Sequence, residues 1–328
     1  MSRRRWACRV IAAPLLWAAW AQGAPFAYIT NQGSHDVSVI DLASQQVVAT
    51  VPVGRSPAGV VASSRAGKVF VSNPDSKTIS VLGMGSHKLL ATLPAGDGPV
   101  GIDASADGSR LFAADWFKNR LLVFDTATHQ ALASIGVGKA PAGVAANDDG
   151  STVFVAERDD DMVAVVDVAQ ARVRSRVRVG SHPFALLLDA PRQRLYALNV
   201  QSDDVSVIDL RALKVMRTVK VGKAPYGAAL ADGGALLYVT NQHDDTVSVI
   251  DAETLQVVRT LTGFAYPEGV AAHADRVYVV NWMDDNVSVR HARTGSPVGV
   301  IATGQNSRGF GAFIGSPIGS PIGSPIVP

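Results

Sequence analysis

The sequence of 328 residues contains a single cysteine, Cys8, and few charged or aromatic side chains. Charged residues make up 18% of the chain and aromatic residues 6%, whereas 47% is hydrophobic, a balance that excludes an intrinsically disordered protein. No apolar run reaches the roughly 18 to 20 residues that a membrane-spanning helix needs. One cysteine cannot form an intramolecular disulfide, so a disulfide framework and a thiolate zinc site are both excluded.

The first 23 residues have the pattern of a secretory signal peptide. Four arginines precede an apolar segment over residues 10–21, and small residues follow up to Gly23. We therefore expect cleavage near Gly23 and export to the periplasm, by the general or the twin-arginine route. Cleavage reduces the 30 Lys and Arg to 26, against 28 Asp and Glu, and leaves a net charge of −2. Nucleic acid is therefore not expected as a partner, because that binding needs a basic surface.

A seven-fold repeat occupies most of the remaining chain. Its most regular element is a strand of the type Tyr-Val-Thr-Asn, whose last residue recurs 42 residues apart five times and then 40 apart once. These strand-end residues are Asn31, Asn73, Asp115, Glu157, Asn199, Asn241 and Asn281. Each repeat contains four alternating or β-branched runs separated by Gly, Asp, Asn and Pro, which is typical of antiparallel strands. The sequence therefore predicts an all-β fold, a seven-bladed β-propeller of four-stranded antiparallel blades.

The two ends of the repeat predict how the ring closes. The first repeat starts at its second strand, near Phe26, and an innermost-type strand at 309–314 has no blade of its own. One blade should therefore combine three strands from the N-terminus with one from the C-terminus, which leaves no open sheet edge. The predicted organisation is a signal peptide at 1–23, a single propeller domain at 24–314 and a low-complexity Gly-Ser-Pro-Ile tail at 315–328. We expect a monomer.

Three short motifs recur among the blades. They are Tyr-Val-Thr-Asn at 238–241, Val-Ser-Val-Ile-Asp at 37–41, 205–209 and 247–251, and Val-Gly-Lys-Ala-Pro at 137–141 and 221–225. These motifs resemble the YVTN-type β-propeller repeat, and the layout is similar to the YncE-like group of exported bacterial propellers. The resemblance implies the fold and export, but no single function. Similar blades occur in surface-layer proteins, in lactonases and in small propellers encoded beside quinoprotein dehydrogenases.

One position of the repeat points to a ligand site. After the proline of the innermost strand, three consecutive blades carry small apolar residues, whereas the next four carry Phe184, Tyr226, Glu268 and Arg308. By analogy with other propellers, this position faces the mouth of the central channel. An apolar lining with a few placed polar groups is the composition of a binding pocket, so we predict that these four residues bind a ligand.

A second position, directly after the strand-end residue, should face the same mouth. It holds Trp116 and Trp282, the only tryptophans beyond residue 23. His182 precedes Pro183 and is also expected near the mouth. We add these three residues to the predicted ligand-binding set.

Two interpretations of the mouth residues stay open. Glu268 and Arg308 could bind a ligand between aromatic side chains, or they could pair with each other and plug the channel. The strand-end Asn, Asp and Glu side chains are interpreted as turn residues, and no metal site is predicted. Acidic pairs such as Asp203-Asp204 are expected to form a solvated face, with steering of a basic partner as the alternative.

Three functions remain compatible with these residues. We favour an exported, non-catalytic scaffold that presents the channel mouth to a small molecule or to a periplasmic protein partner, because no nucleophile, base and orienting group converge. An accessory role to a periplasmic quinoprotein (PQQ-type) dehydrogenase is implied by the resemblance alone. In a lactonase-like hydrolase, Glu268 would be the base and Arg308 would stabilise oxyanion charge. The sequence identifies no cofactor.

Overall fold

The computed structural model describes residues 25–317 and contains 28 strands in seven four-stranded antiparallel sheets. The innermost strands of neighbouring blades contact one another around a central channel. The predicted seven-bladed propeller is therefore confirmed. The predicted signal peptide at 1–23 and most of the predicted tail lie outside the described residues. Within residues 25–317, no helix has the length and apolar character required to cross a membrane.

The strands follow one order in every blade, from the channel outwards. Blade 1 contains β1 (Phe26–Asn31), β2 (Asp36–Asp41), β3 (Gln46–Pro52) and, on the channel side of β1, β28 (Ile314–Gly315). Blades 2 to 4 contain β4 (Val60–Ser63), β5 (Lys68–Asn73), β6 (Thr78–Gly83) and β7 (Lys88–Pro94); β8 (Pro99–Ala104), β9 (Arg110–Asp115), β10 (Arg120–Asp125) and β11 (Ala131–Gly136); β12 (Pro141–Ala146), β13 (Thr152–Glu157), β14 (Met162–Asp167) and β15 (Arg172–Arg178). Blades 5 to 7 contain β16 (Pro183–Asp189), β17 (Arg194–Asn199), β18 (Asp204–Asp209) and β19 (Lys214–Lys220); β20 (Pro225–Ala231), β21 (Leu236–Asn241), β22 (Thr246–Asp251) and β23 (Gln256–Leu261); β24 (Pro267–His273), β25 (Arg276–Asn281), β26 (Asn286–His291) and β27 (Pro297–Ala302). Three short 3-10 turns complete the set, at Pro74–Ser76, Arg158–Asp160 and Gln242–Asp244.

The second strand of each blade is buried on both faces because the blades stack against each other. In β21, for example, only the first residue is partly exposed. One large aromatic side chain per blade fills the space between sheets, and six of them are among the largest fully buried side chains: Tyr28, Tyr196, Tyr238, Tyr278, Phe70 and Phe112. Burying such a ring contributes on the order of 2–3 kcal/mol to folding. The core is therefore distributed over the interfaces between blades.

A glycine in the innermost strand lets neighbouring blades approach closely. An alanine Cβ at Gly101 would lie 2.0 Å from the carbonyl oxygen of Ala142, in the next innermost strand. The equivalent glycines at 59, 143, 227 and 269 each face a carbonyl oxygen of the next blade in the same way. Blade 5 carries Ala185 at this position, so one junction accepts the extra methyl group.

We expect Gly101→Ala to lower the free energy of unfolding by about 1–3 kcal/mol, because the clash is with backbone that cannot rotate away. The measurement is denaturant unfolding. Ala185→Gly serves as the matched control at the permissive junction and should cost about 1 kcal/mol or less. A Gly101→Ala variant as stable as the wild type would show that the innermost strands can move apart.

Blade 1 closes the ring as predicted, with three strands from one end of the chain and one from the other. Phe26 pairs with Gly315 and Ala27 with Ile314. The closing strand is shorter than the predicted 309–314, because Gly309 (φ +64°) and Gly311 (φ +120°) adopt left-handed backbone conformations that interrupt it. Gly315, the first residue of the predicted tail, is part of blade 1.

Candidate functional site

The two repeat positions identified in the sequence meet at one face of the ring. Pro225 at the start of β20 pairs with Asn241 at the end of β21, so the residues that follow each of them lie on the same face. The resulting depression, the mouth cavity, has a volume of about 530 Å³. Six predicted ligand-binding residues line it: Trp116, Phe184, Tyr226, Glu268, Trp282 and Arg308.

The base of the mouth cavity is a buried ion pair. Arg308 Nε donates to Glu268 Oε2 at 2.7 Å, and Arg308 Nη2 donates to Glu268 Oε1 at 3.4 Å. Gln242 Nε2 also donates to Glu268 Oε1, at 2.8 Å. Glu268 is only 2% exposed, whereas the Arg308 side chain keeps 18% of its surface accessible. Both carboxylate oxygens are therefore occupied from within the protein.

Two hydrogen-bond donors at this base have no acceptor among the residues that the structure describes. Arg308 Nη2 also donates to the Tyr226 hydroxyl oxygen, which leaves the Tyr226 hydroxyl proton available. Among residues 25–317, neither this proton nor Arg308 Nη1 has a protein acceptor. Burial raises the pKa of Tyr226, so the phenol stays protonated and able to donate. A guanidinium and a phenol that line one cavity suit an anionic oxygen ligand.

Burial also acts on the carboxyl group of the pair. It raises the pKa of Glu268, and the charge and hydrogen bonds of Arg308 oppose that rise. The charge on Glu268 therefore depends on Arg308, since an isolated carboxylate at this depth is costly.

Two groups of aromatic rings form the walls. Phe184 lies between Trp116 and Tyr226, with ring centroids 6.3 and 4.6 Å apart, respectively. Tyr266 lies 5.5 Å from Trp282. These separations are typical of interacting aromatic pairs, so the rings support one another and present flat apolar surfaces to the cavity.

The sequence analysis missed several residues of the cavity. Gln32, Arg158, Gln242, His243 and Tyr266 also line it. The Arg158 guanidinium lies 5.5 Å from the ring centre of Trp116, and Gln32 accepts a hydrogen bond from Trp282 Nε1 at 3.2 Å. Gln32, Arg158 and Gln242 occupy the same repeat position as Trp116. That shared position in the sequence could have indicated that they face the cavity. Tyr266 precedes the innermost-strand proline of blade 7 and therefore occupies the same repeat position as His182.

A septum separates the mouth cavity from the channel below. Phe310 packs against Phe184 and Tyr226, with centroids 5.0 and 5.6 Å away, and is 6% exposed. We call these three rings, together with the Glu268–Arg308 pair, the septum. The Glu268–Arg308 pairing expected of a plug is present, and the residues expected of a ligand site line an open cavity beside it.

His182 lies outside the mouth cavity. It lines a neighbouring depression that shares Arg158 and His243 with the mouth. His182 Nε2 is 3.9 Å from Asp159 Oδ1, and its Nδ1 is 3.1 Å from Ser181 Oγ. Its backbone N–H donates to Asp161 Oδ1 at 2.9 Å, which holds the residue at the link between blades 4 and 5.

The acidic residues on the mouth face connect neighbouring blades. Asp161, Asp203, Asp245 and Asp285 each accept a backbone N–H from the residue 21 positions later, at 2.6 to 2.9 Å. A carboxylate that accepts backbone N–H bonds stabilises the link between two blades. These four acids therefore have a structural role beyond the solvated face that the sequence suggested.

The strand-end residues are buried, and the amide groups of the asparagines among them donate hydrogen bonds within their own blades. Asn281 Nδ2, for example, donates to Asn286 Oδ1 at 2.7 Å and to Ser288 Oγ at 2.8 Å. Within the described part of the chain, no three His, Cys, Asp or Glu side chains come together as potential metal ligands.

Comparison with known proteins is consistent with this architecture. The sequence model of the YNCE-like beta-propeller family matches residues 62–150, and that of the Cytochrome D1 heme domain matches residues 147–289. No curated protein matches the chain.

Solved structures with the same fold include three of low sequence identity. Kuenenia stuttgartiensis hydrazine synthase is 19% identical with a TM-score of 0.71, over 86% of this chain and 99% of that one. A functionally unknown protein from Desulfotomaculum acetoxidans is 14% identical with a TM-score of 0.76, over 90% and 100%. Dihydro-heme d1 dehydrogenase NirN in complex with DHE is 14% identical with a TM-score of 0.68, over 90% and 77%. At these identities the similarity shows the fold alone.

Proposed function

We propose that this chain, which belongs to the YncE-like family of seven-bladed β-propellers, is an exported binding protein that holds a small, flat, anionic ligand in the mouth cavity. This proposal rests on one observation. The aromatic walls of the cavity lie beside two donors that have no acceptor within residues 25–317, Arg308 Nη1 and the Tyr226 hydroxyl. A carboxylate on the ligand would accept from both donors, and its ring would pack on the aromatic walls. A volume of about 530 Å³ lies within the usual range for small-molecule sites.

Binding without catalysis is favoured by the state of Glu268. A general base must reach the proton that it removes. Glu268 is 2% exposed and its charge is paired with Arg308 at the base of the cavity, so little of the carboxylate is accessible to a substrate. This arrangement disfavours the lactonase-like alternative, in which Glu268 would be the base.

A tetrapyrrole is the second candidate ligand. The match to the Cytochrome D1 heme domain spans residues 147–289, which include Phe184, Tyr226, His243 and Glu268 of the cavity. The donor set fits such a group in kind, with aromatic faces for the ring, Arg308 for its carboxylates and the His243 imidazole as a nitrogen ligand for iron. A bound haem would supply redox chemistry, and these side chains would hold and orient it.

Tryptophan fluorescence offers a direct test, because both tryptophans beyond residue 23 line the mouth cavity. We expect benzoate to change this fluorescence and benzyl alcohol, which lacks the charge, to bind at least tenfold more weakly. Arg308→Lys keeps a cation beside Glu268 but removes the planar guanidinium group with its several N–H donors. This variant should bind benzoate at least tenfold more weakly. Arg55→Lys, an exposed arginine of the same face outside the cavity, is the matched control and should bind as the wild type does.

Haemin is titrated in the same experiment and followed by its absorbance. Binding that is lost in His243→Ala would favour the tetrapyrrole, whereas binding of neither probe, or benzoate binding unchanged in Arg308→Lys, would overturn the proposed function.

The protein for these titrations is purified from the periplasm. Its mass should show that the chain begins near Ala24, and a chain that retains residues 1–23 would contradict export with cleavage.

A further inference from the structure

A second cavity lies in the channel, on the other side of the septum. This channel cavity has a volume of about 430 Å³ and is lined by the innermost strands of blades 3 to 7 and by residues 310–312, which precede β28. Most of its lining is apolar, with Leu186, Leu187 and Val270 among the larger side chains, and Phe310 borders it next to the septum. Among the described residues that line it, Asp103 has the only charged side chain.

The other blades show which residue types the fold accepts at the position of Asp103. The equivalent position of the innermost strand is occupied in the other blades by Val61, Ala145, Leu187, Ala229, Ala271 and Gly311. Six blades therefore fold with an apolar residue here. The blade architecture does not require an acid at this position.

The carboxylate of Asp103 has two protein partners and no cation. Oδ1 accepts the backbone N–H of Ala104 and Oδ2 that of Ala146, both at 2.8 Å. Among residues 25–317, no Lys, Arg or His lies within 4.0 Å of it. A carboxylate offers about four lone-pair sites, so acceptor capacity remains for a group in the cavity. Burial raises the pKa of Asp103 to about 6, as expected for a carboxyl group in apolar surroundings without a counter-ion.

The position of Asp103 also defines the route of entry. Pro99 at the start of β8 lies at the mouth face, because it pairs with Asp115, and Asp103 is the penultimate residue at the other end of that strand. Asp103 keeps part of its surface accessible. A ligand would therefore enter from the face opposite the mouth, and this site is independent of the proposed function above.

We propose that the channel cavity binds a small organic cation, a primary alkylammonium, whose N–H groups donate to Asp103 and whose alkyl chain packs on the apolar lining. Buried charges in proteins are normally paired, and a bound ammonium group would supply a counter-ion for Asp103, whose hydrogen-bond donors are two backbone N–H groups. An ammonium group has three donors and no acceptor, which complements the free lone pairs of the carboxylate.

Calorimetric titration of the mature protein with hexylammonium chloride above pH 7 tests the proposal. We expect saturable binding, and hexan-1-ol, the neutral analogue, should bind at least tenfold more weakly. Asp103→Asn should weaken hexylammonium binding at least tenfold. The matched control, Asp148→Asn, removes the same charge from an exposed residue at the same end of the channel and should leave affinity unchanged.

A second variant keeps the proposal testable if Asp103→Asn fails to fold. Ala271→Leu fills the cavity while Asp103 stays intact, and Leu187 shows that a leucine fits the equivalent position of another blade. Loss of binding in both variants, with tryptophan fluorescence of the mouth unchanged by hexylammonium, is the expected result. No binding by the wild type, equal binding of hexanol, or binding that survives either variant would overturn the proposal.

Discussion

Replacing Arg308 with methionine is expected to lower the free energy of unfolding by about 3–5 kcal/mol at neutral pH. Methionine fills much of the same volume but leaves the Glu268 carboxylate, 2% exposed, without its cation. Gln242 would remain as its hydrogen-bond donor, which does not neutralise the charge. The loss should shrink as the pH falls, because protonation of Glu268 removes the uncompensated charge. Denaturant unfolding at several pH values measures both effects.

The double variant Glu268→Gln with Arg308→Met is the decisive control. It removes both charges, keeps a polar side chain beside Gln242 and should recover most of the lost stability, because replacing both partners of a buried pair is often close to neutral. Equal losses in the single and double variants would instead assign the effect to packing of the arginine side chain. A loss below about 1 kcal/mol in Arg308→Met would mean that the pair behaves as an exposed one.

The second large effect is a loss of stability as the pH rises, caused by Asp103. Its pKa is raised from 3.8 to about 6 in the folded protein, so the unfolded chain releases this proton more readily than the folded one. The contribution of Asp103 is therefore most favourable below pH 3.8 and is lost as the pH rises to about 6. Above that value it should change no further. The rise in the pKa of Asp103 from 3.8 to about 6 corresponds to about 3 kcal/mol.

This pH effect is isolated by comparison with Asp103→Asn. Asp125, Asp209, Asp251 and other surface carboxyls have lowered pKa values and act in the opposite direction at acidic pH, but they are shared by both proteins. The difference in unfolding free energy between wild type and variant should fall by about 3 kcal/mol between pH 3.5 and 7. A difference independent of pH would show that Asp103 titrates normally and that the channel is well hydrated.

The repeat made the fold predictable. A 42-residue period with four β-type runs predicts a four-stranded blade, and seven copies predict a ring of seven blades. The same periodicity indicated the candidate site, because some blades carry small residues at a position where others carry Tyr226 or Arg308, so the blade fold itself does not require the larger side chains. The geometry bore out the convergence of these side chains on one cavity, and ligand binding there stays a prediction.

The partners of these side chains were not predictable, because they depend on contacts between blades. The sequence repeat does not indicate that Arg308 forms an ion pair with Glu268 or that Asp161 accepts the backbone N–H of His182. His182 was predicted near the mouth from its place before Pro183, and it lines a depression that adjoins the mouth cavity. Asp103 was overlooked because only positions expected at the mouth were compared across blades.

Ring closure through blade 1 has a consequence for the folding pathway. The Gly309 N–H donates to Thr30 Oγ1, and these residues are 279 apart in sequence. Contacts of such separation slow folding, since most of the chain must be ordered before they form. While the chain is being made or delivered from its N-terminus, β1 must keep an unpaired edge until the last residues of the ring arrive. Such an edge is prone to pairing with other chains, so this interval is the one in which the protein is most vulnerable to aggregation.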